Sequence, residues 1–231
     1  MRPHPEVPRS GLEGSSRDRA AGWRILRGPL ARAPQDEGLD GIRCAAEPKE
    51  GERLVIFEEL ALPGLFRVVP EPHADERGFF ARTQCESEFA ERGLVGHFTQ
   101  SSVSFNHRRG TVRGMHFSKL PHAETKLVRC TAGAIHDAVI DLRPDSPTYL
   151  RTTSVTLSAA NRHALYIPAG LAHGFQTLSD DAEILYMIDR PFVASAADGV
   201  RWDDPAFGLV WPEPVTVIAP RDLAFPDWAG R

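Results

Sequence analysis

The sequence predicts an all-β chain, folded as a double-sheet jelly roll with a few short helices behind a disordered N-terminal extension. Three observations predict it. Short strand-like runs recur from about residue 55, separated by Gly, Pro, Asn and Asp. No long amphipathic helix recurs between them, which argues against βαβ units and leaves a sandwich or barrel. Residues 1–54 have a different texture, rich in Arg, Pro, Gly and Ala.

Taken in order, residues 1–54 show no sustained period of 2 or 3.6, and Trp23 is their only aromatic residue. "GWRILRGPLAR" has room for one helical turn, but such a segment cannot bury enough apolar surface to offset its ordering entropy. The segment reads as a disordered extension, as an over-long gene start with the true beginning near Val55, or as a regulatory arm. Residues 55–231 then form the folded domain. "LVIFEELALPGLFRVVP" gives two apolar runs split by Pro63 and Gly64. "CESEFAERGL" predicts one short helix stopped at Gly93. "TKLVRC" and "IHDAVIDL" are strands joined by a turn at "TAGA", and the prolines of "RPDSPTY" interrupt the pattern. "TSVTL", "HALYI" and "EILYMI" complete the strand series, with "SAANR", "PAGLAHG" and "SDDA" read as their connections.

Composition narrows the function classes. The chain has 231 residues, 42% hydrophobic and 25% charged, with a formal net charge of -4. That balance argues against bulk capture of nucleic acid but permits a local basic pocket. No run of about 18 apolar residues suggests a membrane span, and the N-terminus lacks the apolar core of a secretory signal. Cys44, Cys85 and Cys130 are an odd number with no close pair, so neither a disulfide framework nor a zinc site is indicated. A reducing cytoplasm is the expected compartment.

The stretch "RGMHFSKLPHAETKLVRC" mixes strand formers with two histidines, two arginines and two lysines. Either it is a sheet with a wet outer face or its polar side chains point inward at a ligand. His116 and His173 adjoin Gly114 and Gly174, which permit close backbone approach. Arg113, Lys126, Gln100 and Tyr186 supply groups able to hold an anion and move a proton. "PAGLAHG" has the spacing Pro-x-Gly-x-x-His and resembles the second motif of the cupin superfamily. The first cupin motif is broken here, because His116 is followed by Phe117 and Ser118. His122, Glu124 and His173 are the remaining candidates for a metal, with Lys126 as a competing positive charge.

Further stretches make the resemblance specific. "DERGFF", "RGTVRGMHF", "KLVRC", "VIDLRPDSPTY", "YIPAGLAHGFQTLSD", "ILYMID", "GVRWDDPAFGLVWP" and "RDLAFPD" follow one another at near-constant spacing between about residues 55 and 227. In this register the chain resembles the dTDP-4-dehydrorhamnose 3,5-epimerases, non-metal cupins of L-rhamnose synthesis. The resemblance implies a cupin-type jelly-roll homodimer acting on a nucleotide-diphosphate 4-keto-6-deoxyhexose, with no metal and no redox cofactor. It also implies roles. His116 matches the general base, Tyr186 the general acid, Asp222 the partner of the base and Lys126 the lysine near the keto oxygen. Arg77, Gln100, Arg113, His173 and Arg221 match positions that contact nucleotide, diphosphate or sugar. Asp137 matches a buried acidic partner of the pocket histidines.

The residue types suit the chemistry. A proton beside a ketone is removed as an enolate forms, and imidazole is a base suited to neutral pH. A cation beside the enolate oxygen stabilises it, and inversion needs a proton from the opposite ring face. Three positions depart from the family pattern. Arg82 stands where Glu is frequent, Ser102 where Asn is frequent, and Phe192 where a hydroxyl-bearing aromatic is usual; Phe192 can still stack on a base or pack the sugar. These bear on nucleotide preference and on whether C3, C5 or both are inverted. A single-site epimerase, a non-catalytic sugar-nucleotide-binding cupin and a metal-dependent cupin oxygenase stay open as alternatives.

Overall fold

The computed structural model describes residues 55–228, all within one compact unit. The expectation of disorder over 1–54 lies outside the described residues. In chain order the elements are β1 Val55–Glu59, β2 Phe66–Pro70, β3 His73–Asp75, β4 Gly78–Phe80, α1 Glu86–Ala90, β5 Gln100–Asn106, β6 Thr111–Ser118 and β7 Lys126–Ala132. There follow β8 Ala134–Asp141, β9 Thr152–Ser158, β10 Ala164–Ile167, β11 Leu171–Thr177, β12 Ala182–Ile188, β13 Ala197–Gly199, β14 Val217–Ile218 and α2 Pro220–Leu223. One sheet has the order β1-β2-β10-β7-β12-β5. The other runs β13-β6-β11-β8-β9, with β14 parallel to β6. β3 and β4 form a separate hairpin.

The sheets pack face to face. Val128, Cys130, Leu165, Ile167 and Ile184 of the first sheet meet Ile135, Val139, Leu157, Leu171 and Phe175 of the second. Each outer face is covered as well. Phe89 of α1 packs with Phe57, Val68 and Tyr166 over the first sheet. Phe207, Leu209, Trp211 and Trp228 of the C-terminal segment lie over Met115, Ala138, Ile140 and Ala172 of the second. That segment is tied down by ion pairs from Arg201 to Asp203 and Asp227. The Trp228 N–H donates to Asp204. α2 is thereby delivered against β6.

The predicted jelly roll is the observed architecture, and the predicted short helix is α1. One reading of the local sequence needs correction. "PAGLAHG" is a connection only as far as Gly170; Leu171–Thr177 is a central strand in which every residue is buried. Covered on both faces, it has no hydrophobic alternation, and its His and Gly residues mask the strand signal. The short pieces β3, β4, β13 and β14 are likewise without a periodic signature. α2 carries Pro at its first turn, a position where the missing N–H costs nothing.

Candidate active site

At one end of the sandwich the sheets part around a cavity of about 510 Å³, within the range of small-molecule sites. Its wall includes Arg113, His116, Lys126, His173, Tyr186, Phe192 and Arg221. Tyr186 and Lys126 come from β12 and β7 of the first sheet, and His116, Arg113 and His173 from β6 and β11 of the second. The proposed imidazole and phenol therefore stand on facing sheets.

Strict alternation would send residues 113 and 116 to opposite faces of β6. The register shows why both reach the cavity. His116 pairs with His173 and Arg113 with Phe175, so three steps on β6 oppose two on β11. This bulge turns Met115 to the outer core and both polar side chains inward. The strands approach closely at the bulge. A Cβ on Gly114 would lie 2.5 Å from the Gly174 Cα, and one on Gly174 would lie 2.7 Å from the Arg113 carbonyl.

His116 and Asp222 form a dyad, with Nε2 and Oδ1 2.8 Å apart. The other carboxylate oxygen of Asp222 accepts the Gly114 N–H at 3.1 Å. The Asp222 side chain is 5% exposed and that of His116 38%, so the carboxylate is fixed and the ring remains reachable. Burial pushes the Asp222 carboxyl up, but the hydrogen bonds from His116 and Gly114 and the nearby positive charge outweigh it, holding it below the usual carboxylate range. Behind the cavity, His173 Nε2 and Asp137 Oδ2 are 3.0 Å apart, with both side chains buried. The His173 ring meets that of Tyr186 edge-on, with centroids 6.3 Å apart. Burial pushes the Tyr186 phenol well above its ordinary range, and the Ser104 hydroxyl offsets this only in part. Lys126 Nζ lies 3.2 Å from Glu124 Oε1. Arg113 Nε donates to Asn106 at 2.6 Å. Arg221 sits over the Phe225 ring, which also meets the His116 ring at 70° with centroids 6.1 Å apart.

Of the residues given a catalytic or substrate-contact role from the sequence, seven line the cavity, and Asp137 and Asp222 stand directly behind its two histidines. Arg77 and Gln100 do not line it. Arg77 is on the β3–β4 turn, 85% exposed, and pairs with Asp75. Gln100 opens β5, opposite the cavity residue Ile188. The metal candidates are engaged otherwise, His173 with Asp137 and Glu124 with Lys126. Among the described residues no group of three His, Cys, Asp or Glu is arranged to hold a metal ion. The cavity also contains Ser102, Ser104, Ser118, Glu124 and Asp198, to which the sequence reading gave no substrate-contact role. A period of two was the available signal, because Ser102 and Ser104 share the Gln100 face of β5 and Glu124 precedes Lys126 by two.

Comparison with known proteins identifies the family. The family model described as dTDP-4-dehydrorhamnose 3,5-epimerase matches residues 59–230. The dTDP-4-dehydrorhamnose 3,5-epimerase of Sinorhizobium fredii is 39% identical over 172 residues, 74% of this chain and 88% of that one. The crystal structure of the Bacillus anthracis dTDP-4-dehydrorhamnose 3,5-epimerase with TDP and PPi bound superposes with a TM-score of 0.73 at 34% identity. The match covers 75% of this chain and 99% of that one. A Legionella pneumophila 3,5-epimerase in complex with dTDP-4-keto-L-rhamnose gives 0.69 at 30% identity, covering 74% and 91%. With its sequence matched from β1 almost to the C-terminus and its fold shared with these enzymes, the chain belongs to the dTDP-4-dehydrorhamnose 3,5-epimerase family.

Proposed function

We propose that this protein epimerises a dTDP-linked 4-keto-6-deoxyhexose at C3 and C5, the reaction of L-rhamnose-type deoxysugar synthesis. The observation that carries the reading is the His116–Asp222 dyad facing Tyr186 across one cavity, with Lys126 in its wall. His116 takes the proton from the carbon beside the C4 ketone. Asp222 fixes the ring and stabilises the imidazolium that forms. The Lys126 ammonium, on a side chain only 12% exposed, donates to the oxygen that becomes an enolate. Tyr186, kept protonated by burial, returns a proton to the opposite face. Arg113 and Arg221 supply the positive charge for the diphosphate, for which the guanidinium fork is suited. Phe192, 63% exposed at the rim, offers a ring for the nucleotide or sugar to pack on.

The proposal includes a cytoplasmic homodimer. Cys85 and Cys130 are free thiols. No helix among the described residues is long and apolar enough to cross a membrane. Phe79 and Phe80 of the β3–β4 hairpin are 46% and 59% exposed, and Val103 and Phe105 on edge strand β5 are 57% and 45% exposed. A second copy would cover these apolar surfaces, and it is the means by which Arg77 would reach a substrate.

The test is solvent exchange. Incubation with dTDP-4-keto-6-deoxyglucose in D₂O is expected to place deuterium at C3 and C5, with inversion at both. Label at one carbon alone would make the protein a single-site epimerase, a reading the absence of a hydroxyl on Phe192 favours. Binding without exchange at either carbon would overturn the enzymatic reading.

A further inference from the structure

Glu124 lies two residues before β7, and its carboxylate lines the same cavity as the Lys126 ammonium. Both side chains are only 12% exposed, with Oε1 and Nζ 3.2 Å apart. The backbone between them is pinned. The Thr125 N–H donates to the Asp189 carboxylate at 2.8 Å, and the Asp189 N–H donates to the Thr125 carbonyl at 3.2 Å. Asp189 directly follows β12, the strand that carries Tyr186. The segment 124–126 is thus tied to the end of the strand bearing the proposed acid, and Glu124 projects from it as a fixed post.

A lysine has four rotatable side-chain bonds and a compact charge, so by itself it defines a donor position poorly. Enolate stabilisation needs the donor held where charge develops, and a displacement of about 1 Å can cost roughly 100-fold in rate. A buried ammonium also needs a counter-charge or acceptor close by. We infer that Glu124 is a positioning residue for the reaction: by accepting one N–H of Lys126 it aims the remaining N–H groups at the keto oxygen. It touches the lysine, not the reacting atoms. This inference rests on the role proposed above for Lys126, and no redox or covalent step is involved.

The test compares Glu124→Ala, Glu124→Gln and Lys126→Met, measuring kcat and KM for inversion and, separately, the Kd for dTDP. Glu124→Ala is expected to lower kcat by about 10- to 100-fold. The dTDP affinity should stay within about twofold, which also shows that the variant folds. Glu124→Gln keeps an acceptor oxygen at the same reach and is expected to recover most of the loss. An undiminished kcat in Glu124→Ala, a matching loss of dTDP affinity, or a Gln variant as impaired as the Ala variant would overturn the inference. Lys126→Met separates the two levels. If it turns over normally, the role of Lys126 itself falls; if it is inactive while Glu124→Ala is unimpaired, only the positioning role falls.

Discussion

Asp222 holds the His116 ring at 2.8 Å across 106 residues of sequence, and its second oxygen binds the backbone of the strand that carries that histidine. The carboxylate therefore fixes both the ring and the local path of β6. An Asn at this position keeps the shape but loses the charge that stabilises an imidazolium. Asp222→Asn is expected to lower the exchange rate by about 100-fold or more while dTDP still binds. His116→Ala is expected to abolish exchange with dTDP binding retained. Because the Asp222 carboxyl is held below its usual range, its protonation should not reduce the rate above about pH 4. A rate profile for the parent and Asp222→Asn proteins checks both points.

The burial of Tyr186 raises its phenol above its ordinary value near 10, so it should remain a proton donor throughout the neutral and mildly alkaline range. Tyr186→Phe removes the donor but leaves the base. Deuterium should then still enter the substrate with retained configuration, returned by the imidazole. Inverted product should fall by about 100-fold or more. NMR of the recovered sugar in D₂O distinguishes the two, and inversion at the parental rate would remove Tyr186 as the acid.

Gly114 has φ +133°, and a methyl group there would meet the Gly174 backbone. Gly78 has a similar φ of +128° with open space around it. Alanine at 78 should cost only the backbone strain, about 1–3 kcal/mol. Alanine at 114 should add the cost of forcing β6 from β11, a further 1–3 kcal/mol or so, and should disable the site through His116. Thermal melts and exchange assays of the two variants side by side test this.

Asp141 is buried and accepts hydrogen bonds from Arg143, Ser146 and Thr148 at 2.6–3.0 Å. Burial would raise its carboxyl, but these donors hold it well below the usual range. A carboxyl depressed by folding stabilises the protein above its unfolded value near 4, and that stability is lost as pH falls further. Asp141→Asn is expected to destabilise by roughly 3 kcal/mol at neutral pH. The gap from the parent should narrow below about pH 4, as urea melts across pH will show.

Several features of the site were legible in the chain itself. His116, Tyr186 and Lys126 stand in motifs with a fixed order, and simple alternation already places Tyr186 inward with Ile184 and Lys126 inward with Val128. β11 was not legible, because a strand covered on both faces has no alternation to read. Arg113 illustrates a different limit. Its parity opposes that of His116, and only the bulge at Gly114 brings both to one cavity.

By its sequence alone the chain determined an all-β sandwich and the kinds of groups available for proton transfer and anion binding. These follow from local periodicity and side-chain chemistry, which need no knowledge of distant partners. Only the tertiary structure decided that Asp222 binds the Gly114 backbone as well as the His116 ring, that Glu124 pairs with Lys126, and that Arg77 stands outside the cavity of its own chain. Those relations depend on sheet pairing and burial between residues remote in sequence, and local patterns do not encode such distances.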